Sequence, residues 1–281
     1  MEPVNNRPQF ADGRHTPFSL PEARQMFNPT DHPFLILVAS LAIFWLASSI
    51  GCWFSKRPCR LEANNREDFK FVLGGTLTLL GLIIGFTFSM AVGRYDQRKN
   101  CEEEEANAIG TEYLRADFLP AADAANVRAL LTNYLAQRID NYKSRDSQQL
   151  RQIETETARL QDRMWSAVSA PATAQPTPVT ALAVAGMNDV LNSQGYTQAA
   201  WHNRVPIEAW ALLVIISIFC NLMIGYGAQG RAAFLLLILP VVLSISLFLI
   251  ADIDSPRGGL IRVRPLNLES LAVSLHPAAK Q

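Results

Sequence analysis

Four apolar stretches constrain the fold more than any other feature of this sequence. They cover residues 34–54, 71–92, 207–228 and 232–251. Each is long enough as a helix to cross the roughly 30 Å hydrocarbon core of a bilayer. The only charge within them is Glu208, close to the predicted start of the third stretch. The pattern therefore predicts an integral membrane protein with four spanning helices.

The spacing of the four stretches predicts two transmembrane hairpins with a soluble insert between them. Residues 1–30 are rich in Pro, Asn and charge, which is typical of a flexible tail, and residues 252–281 form a second tail. With four crossings, both tails and the insert at 95–200 share one side of the membrane. Lys and Arg near the spans are more numerous on that side, which predicts that it faces the cytoplasm.

The second apolar stretch runs into strongly charged sequence without a helix breaker. No Pro occurs between residues 85 and 110, although Arg94, Arg98 and Lys99 are followed by four glutamates at 102–105. We expect one helix to continue from the bilayer to about residue 117, with its cations at the interface. Successive helical side chains point about 100° apart, so the glutamates do not converge on one ion. We expect them to form a solvated face.

A stripe of small residues follows one side of the second span. At helical spacing it comprises Gly74, Thr78, Gly81, Gly85 and Ser89. Such a stripe permits close approach of another helix, for which Gly81-x-x-x-Gly85 is a familiar spacing. It equally permits a narrow water-lined path, and both interpretations are open at this point.

The insert has the pattern of amphipathic helices. Residues 127–138 and 150–164 repeat apolar side chains every three or four positions, so each helix needs a partner for that face. Three prolines within 170–180 predict a loop, and residues 182–191 indicate one further helix. Because no β-alternation of useful length occurs, the predicted fold class is all-α.

Residues suited to catalysis or metal binding are scattered. The four histidines are far apart in sequence: His15, His32, His202 and His276. No HExxH, GxSxG or CxxC motif occurs, so neither an enzyme nor a cofactor is expected, and the balanced charge of the insert does not favour nucleic-acid binding. Asp252 and Asp254 are a candidate cation site, although the Ser, Pro and Gly residues that follow them also predict a helix-end turn.

Three segments resemble a known family. They are LLGLIIGFTFSMAVGRYDQRKNCEEEEANAIGTEYLRADFLP, NRVP before the third span and DIDSPRGGLIRV after the fourth. They closely resemble the bestrophin-like family of bacterial membrane proteins, which is similar more remotely to the bestrophin anion channels. The resemblance covers about residues 69–264. It implies a pentamer with four membrane helices per subunit, a cytosolic helical region between the second and third, and a pore lined by the second.

The resemblance also implies roles for particular residues. Gly81, Gly85, Phe88 and Ser89 would face the pore, with Gly74 and Thr78 further along the same stripe. Arg94 would attract anions at the inner mouth, and Arg98 would add to the charge there. The stripe is small and hydroxylated where bestrophins present rings of bulky apolar side chains. The calcium-binding acidic cluster is reduced to Asp252 and Asp254, so calcium gating is not expected.

Two functional hypotheses follow from the sequence. The first is a homo-oligomeric channel in the lipid bilayer that passes an inorganic anion along its second spans. The second is a non-conducting membrane scaffold or sensor that acts through its cytosolic helices, since amphipathic helices and an acidic stem need no permeant ion. The two hypotheses differ in whether the second helices of several subunits enclose a path across the membrane.

Overall fold

The computed structural model describes residues 31–55, 63–228 and 234–275, in which all regular structure is helical. This confirms the predicted all-α class. The predicted tail at 1–30 lies outside the described residues. In chain order the helices are α1 (Pro33–Ser55), α2 (Ala63–Arg115), α3 (Ala121–Lys143), α4 (Ser147–Ala174), α5 (Pro178–His202), α6 (Ile207–Gly227), α7 (Leu235–Asp254) and α8 (Leu266–Leu275), with a 3₁₀ turn at Ala116–Phe118 after α2.

The described residues include four helical segments that are long and apolar enough to cross a membrane. They are α1, the first part of α2, α6 and α7, with a mean hydropathy of 2.0 to 2.6 over their most apolar windows. The chain is therefore an integral membrane protein, as its apolar stretches predict. Both α1 and α2 pack against α6 and α7. Their shared core contains Phe44, Leu80, Leu213 and Leu247.

Two glycines bring α1 and α6 close together within this membrane core. A Cβ atom on Gly51 would lie 2.1 Å from the carbonyl oxygen of Leu222, and one on Gly225 would lie 2.0 Å from that of Ser48. Both distances are far below van der Waals contact, so only glycine fits at either position. Close helix packing through small residues therefore occurs here between α1 and α6.

Helix α2 continues without a break from the membrane into the soluble part of the protein. Its 53 residues correspond to a length of roughly 80 Å. The buried side of α2 changes in character along this length. It is apolar at Leu80 and Ala91, and carries charge at Arg98, Glu102 and Glu105. The abrupt change of sequence from apolar to charged thus marks the point where one helix leaves the bilayer.

Outside the membrane, the end of α2 packs with α3, α4, α5 and α8 around a second core. Fully buried members of this core include Ile109, Leu131, Tyr134, Met164 and Met187. The amphipathic helices α3 and α4 bury the apolar faces that their sequences indicate. The region expected to be a C-terminal tail differs from that expectation, because its helix α8 packs against α2 and α3.

The connection between α4 and α5 is much shorter than the loop expected at 170–180. Helix α4 continues through Pro171 to Ala174, and α5 begins at Pro178. Pro178 occupies the first turn of α5, where a missing N–H costs no helical hydrogen bond, and Thr177 caps that turn together with Thr180. Pro171 lies in the last turn of α4, where it removes one hydrogen bond close to the point at which the helix ends. Whether a proline interrupts a helix therefore depends more on its position in that helix than on the number of prolines in the segment.

Candidate functional site

The small-residue stripe of α2 is open in the single chain. Gly74, Thr78, Gly81, Gly85 and Ser89 are all exposed. A Cβ atom built on any of the three glycines meets no described atom within 4 Å. These glycines therefore do not serve packing within the chain, in contrast to the pair that joins α1 and α6.

The opposite side of the same helix is packed. Leu80, Thr87 and Ala91 are buried against the membrane core, with exposed fractions of 1%, 4% and 0%. The Thr87 hydroxyl donates a hydrogen bond to the carbonyl of Ile83, 2.8 Å away, which satisfies it within the helix. Helix α2 thus has one face that packs within its own chain and an opposite face that is exposed and available for contact with another molecule.

The two phenylalanines beside the stripe take different positions. Phe88 is half-buried and packs against the membrane core of its own chain, so it lies at the edge of the stripe. Phe86, in contrast, is 65% exposed. At helical spacing Phe86 falls on a different face of α2 from the stripe, which is why it is not among the predicted pore-lining residues.

The two arginines predicted at the inner mouth are bound within the chain. Arg94 is half-buried and donates a hydrogen bond to the side-chain oxygen of Asn203. Arg98 is only 1% exposed, and its guanidinium donates to the carbonyls of Ile253 and Asp254 at 2.7 and 2.9 Å. These carbonyls lie at the C-terminal end of α7, which carries a partial negative charge. Arg98 therefore caps α7 in the interior, whereas a place at an open mouth was expected.

Asp252 orders the backbone that follows α7, and Asp254 binds the segment between α5 and α6. The two carboxylate oxygens of Asp252 accept hydrogen bonds from the amides of Leu260 and Ile261 at 2.7 and 2.9 Å. One oxygen of Asp254 accepts from the amide of Val205 at 3.0 Å. No three His, Cys, Asp or Glu side chains converge on a possible metal position in the residues that the structure describes. The helix-end turn therefore engages both oxygens of Asp252, whereas the second oxygen of Asp254 is buried without a hydrogen-bond partner among the described residues.

The four successive glutamates divide into two buried and two exposed side chains. Glu103 and Glu104 are exposed, as expected, but Glu102 and Glu105 are 1% and 0% exposed. The expectation of one solvated face is therefore wrong for half of the run. Positions 102 and 105 are three residues apart and fall on the same helical side as Ala91, which is the signal that sequence reasoning missed.

Each buried glutamate joins α2 to another helix of the soluble part. Glu102 accepts hydrogen bonds from the backbone amides of Asn267 and Leu268 at 2.9 and 3.0 Å, so it caps the start of α8. Glu105 forms an ion pair with Arg138 of α3 and accepts a hydrogen bond from Thr197 of α5 at 3.2 Å. Burial opposes the charge of Arg138, but the Glu105 carboxylate raises the pKa of Arg138 above its ordinary value.

A third buried carboxyl on α2, that of Glu112, lacks such partners. Glu112 is 0% exposed, and neither carboxyl oxygen has a hydrogen-bond partner among the described residues. Burial raises its pKa to about 8, against the opposing influence of Arg115. A Cβ atom on Gly186 of α5 would lie 2.1 Å from one carboxyl oxygen, so the Glu112 side chain lies directly against the backbone of α5.

These features define a class of protein: a multi-pass helical membrane protein whose second span extends as the stem of a soluble helical bundle. The chain belongs to the Bestrophin-like domain family, whose family model matches residues 42–268. This confirms the resemblance of the segments around α2 and after α7 to that family. A comparison with curated proteins found no match.

Solved structures of bacterial bestrophin homologues share this fold. A homologue from Klebsiella pneumoniae, solved by zinc phasing, has a TM-score of 0.60 and 16% identity, with 86% of this chain and 97% of that chain covered. A tryptophan-to-alanine variant of the Klebsiella pneumoniae homologue has a TM-score of 0.62 and 15% identity, with 86% and 96% covered. A leucine-to-threonine variant has a TM-score of 0.60 and 14% identity, with 89% and 99% covered. At these identities, the likeness establishes the fold.

Proposed function

We propose that this chain is one subunit of a homo-oligomeric ion channel in which the α2 helices of several copies line the path. The observation that carries the proposal is the open stripe on α2, where Gly74, Gly81 and Gly85 meet nothing in the described part of their own chain. Family membership supports the same assignment. The permeant species that we propose is a small inorganic anion.

The physical argument starts from the cost of glycine in a helix. A glycine in a helix interior is less favourable than alanine by roughly 0.5–1 kcal/mol, so three of them need a compensating role. Lipid tails offer none, because they pack against a methyl group as readily as against a hydrogen atom. Copies of α2 around a common axis would offer one, since small residues leave room for a hydrated ion, and Thr78 and Ser89 add hydroxyls that can contact it.

The cation just beyond the apolar part of α2 supports the choice of an anion. Arg94 is half-buried on the packed side of α2, so its positive charge lies near the end of the proposed path but not on the stripe itself. A ring of such cations in repeated subunits would raise the local concentration of anions. We place the soluble helices and both termini in the cytoplasm of a bacterium, beneath its inner membrane, and we take five as the number of subunits from the resemblance.

The proposal can be tested by measuring chloride flux from liposomes that contain the purified protein. The test variant is Ser89→Trp, which adds an indole to the stripe in every subunit. A matched control is Ser49→Trp, because Ser49 is also an exposed serine in a spanning helix but lies on α1. We expect the wild type and the control to pass chloride, and we expect Ser89→Trp to lose most of the flux.

Oligomeric state, measured on the same samples, separates the two functional hypotheses. A folded oligomer that passes no ion under several pH and calcium conditions would contradict the channel and favour the membrane scaffold. Flux that survives Ser89→Trp unchanged would place the path elsewhere than along α2. A monomer without flux would contradict the assembly itself.

A further inference from the structure

A cavity of about 200 Å³ lies outside the membrane, between the end of α3, the end of α5 and the segment that joins α7 to α8. None of the residues that line it is an Asp or a Glu. Four parts of the chain contribute cations to its wall: Arg98, Lys143, Arg145, Arg257, Arg262 and Arg264. These cations give the cavity wall a positive potential, which attracts anions.

Three of these cations are bound to the chain itself. Arg98 caps α7, and Lys143 forms an ion pair with Glu269 at 2.7 Å. Arg257 donates to the backbone carbonyl of Asn141 at 2.7 Å, and its guanidinium stacks on the ring of Trp201 at 3.9 Å from the ring centre. These contacts hold the cavity wall together. The other three cations of the wall are Arg145, Arg262 and Arg264.

Arg145, Arg262 and Arg264 form no side-chain hydrogen bond or ion pair with the described part of the chain. The Nε atom of Arg262 is buried and has no partner there. Burial, followed by the positive charges of Arg145 and Arg264, lowers the pKa of Arg262. Arg145 and Arg264 therefore oppose the positive charge of Arg262 in the folded protein, with Asp252 acting in the other direction, and an anion bound between the guanidinium groups would offset this repulsion.

The segment that carries Arg262 is held in place through hydrogen bonds of its backbone amides. Asp252 binds the amides of Leu260 and Ile261, the two residues immediately before Arg262. A Cβ atom on Gly259 would lie 2.4 Å from the carbonyl oxygen of Asp252, so the turn closes only with glycine there. The segment is therefore ordered before any ligand binds, which reduces the entropy lost on binding.

We propose that this cavity is a binding site for an anionic phosphoryl group, with Arg145, Arg262 and Arg264 as its ligands. Guanidinium groups match the oxygens of a phosphoryl group in charge and in planar geometry, and the resulting charge-assisted hydrogen bonds are strong. The proposal does not depend on conduction, because the site is formed within one chain.

Two sources of phosphoryl groups can reach the cavity. One is a soluble phosphate ester or diphosphate. The other is the head group of an anionic phospholipid, because the cavity wall includes Tyr95, three residues beyond the apolar end of α2 at Val92 and so roughly 5 Å further along the helix. Both sources share the chemistry that the arginines recognise.

The test uses the purified full chain in a neutral detergent at constant ionic strength. Inorganic pyrophosphate is titrated by calorimetry as the soluble probe. Phosphatidylglycerol is added to mixed micelles as the lipid probe, phosphatidylcholine serves as the zwitterionic reference with no net charge, and bound lipid is counted by native mass spectrometry. The test variants are Arg262→Gln and Arg145→Gln, and the control is Arg151→Gln, an exposed arginine on α4 away from the cavity.

We expect at least one probe to bind the wild type, and we expect each test variant to weaken its binding by about tenfold while the control leaves it unchanged. Binding of pyrophosphate identifies a soluble ester, and binding of phosphatidylglycerol alone identifies a head group. Arg145 lies in the exposed turn between α3 and α4, so its variant is expected to fold even if Arg262→Gln does not. Failure of both probes to bind, or equal binding by wild type and folded variants, would overturn the proposal.

Discussion

Replacing Glu105 by Gln leaves the guanidinium of Arg138 buried without its counter-charge. The side chains of Glu105 and Arg138 are 0% and 4% exposed, so water cannot take the place of the lost carboxylate. The change is nearly isosteric and therefore tests charge rather than packing. Thr197 loses a charged hydrogen-bond acceptor at the same time.

The expected loss of stability is large. Breaking a buried ion pair by removing one partner costs about 3–5 kcal/mol, because the remaining charge is left uncompensated. In a protein of this size, 1 kcal/mol changes the melting temperature by about 2–4 °C, so we expect a decrease of roughly 6–20 °C. Replacing Arg138 by Met in the same chain removes the uncompensated charge, and we expect this double variant to recover much of the loss.

The assay is thermal unfolding of the purified protein in one detergent, followed by tryptophan fluorescence at a single scan rate because unfolding of membrane proteins is often irreversible. Glu104→Gln is the matched control, since Glu104 is the adjacent residue of the same helix but is exposed. If Glu105→Gln and Glu104→Gln melt within about 1 °C of each other, the buried ion pair does not stabilise α2 against α3, and its assigned role is refuted.

Two further changes test the other buried features. Glu112→Gln should increase the free energy of unfolding at pH 8.5 but have little effect near pH 5. The reason is that the pKa of Glu112, about 8 in the folded protein, is higher than in the unfolded chain. Between these two pKa values the free energy of unfolding of the wild type falls by about 1.4 kcal/mol for each unit of pH increase. A pH-independent difference between the two proteins would contradict this. Gly225→Ala should lower the melting temperature, because its methyl group would clash with the carbonyl of Ser48, whereas Gly75→Ala meets nothing within 4 Å and should not. Equal melting of the two glycine variants would refute a close contact between α1 and α6.

The spanning helices and the long stem could be predicted from the sequence because their causes are local. An apolar run of sufficient length forms a helix in lipid wherever it occurs, since its backbone groups must bond within the segment. The stem continues because no proline interrupts α2 after the apolar run ends. The small-residue stripe is likewise a matter of helical spacing, so its members share one face of α2 in the structure, with Phe88 at its edge.

The roles of the charged residues depend on contacts between distant parts of the chain. Arg98 reaches backbone carbonyls 155 and 156 residues away, and Glu102 binds an amide at the start of α8 that is 165 residues away. Helical spacing places Arg98 and Glu102 on the same side of α2 as Ala91, but spacing alone does not show that this side is the packed one. Sequence reasoning therefore placed Arg98 at a mouth and all four glutamates in solvent.

Taken by itself, the sequence determined the number of spans, the all-helical class and the continuous second helix, because backbone hydrogen bonding in lipid and helical periodicity act over a few residues. Only the tertiary structure decided which side of α2 is packed, which charges are buried and where the arginines after α7 converge. Those outcomes depend on the desolvation of charge, and a charge is desolvated only when helices from distant parts of the chain close around it.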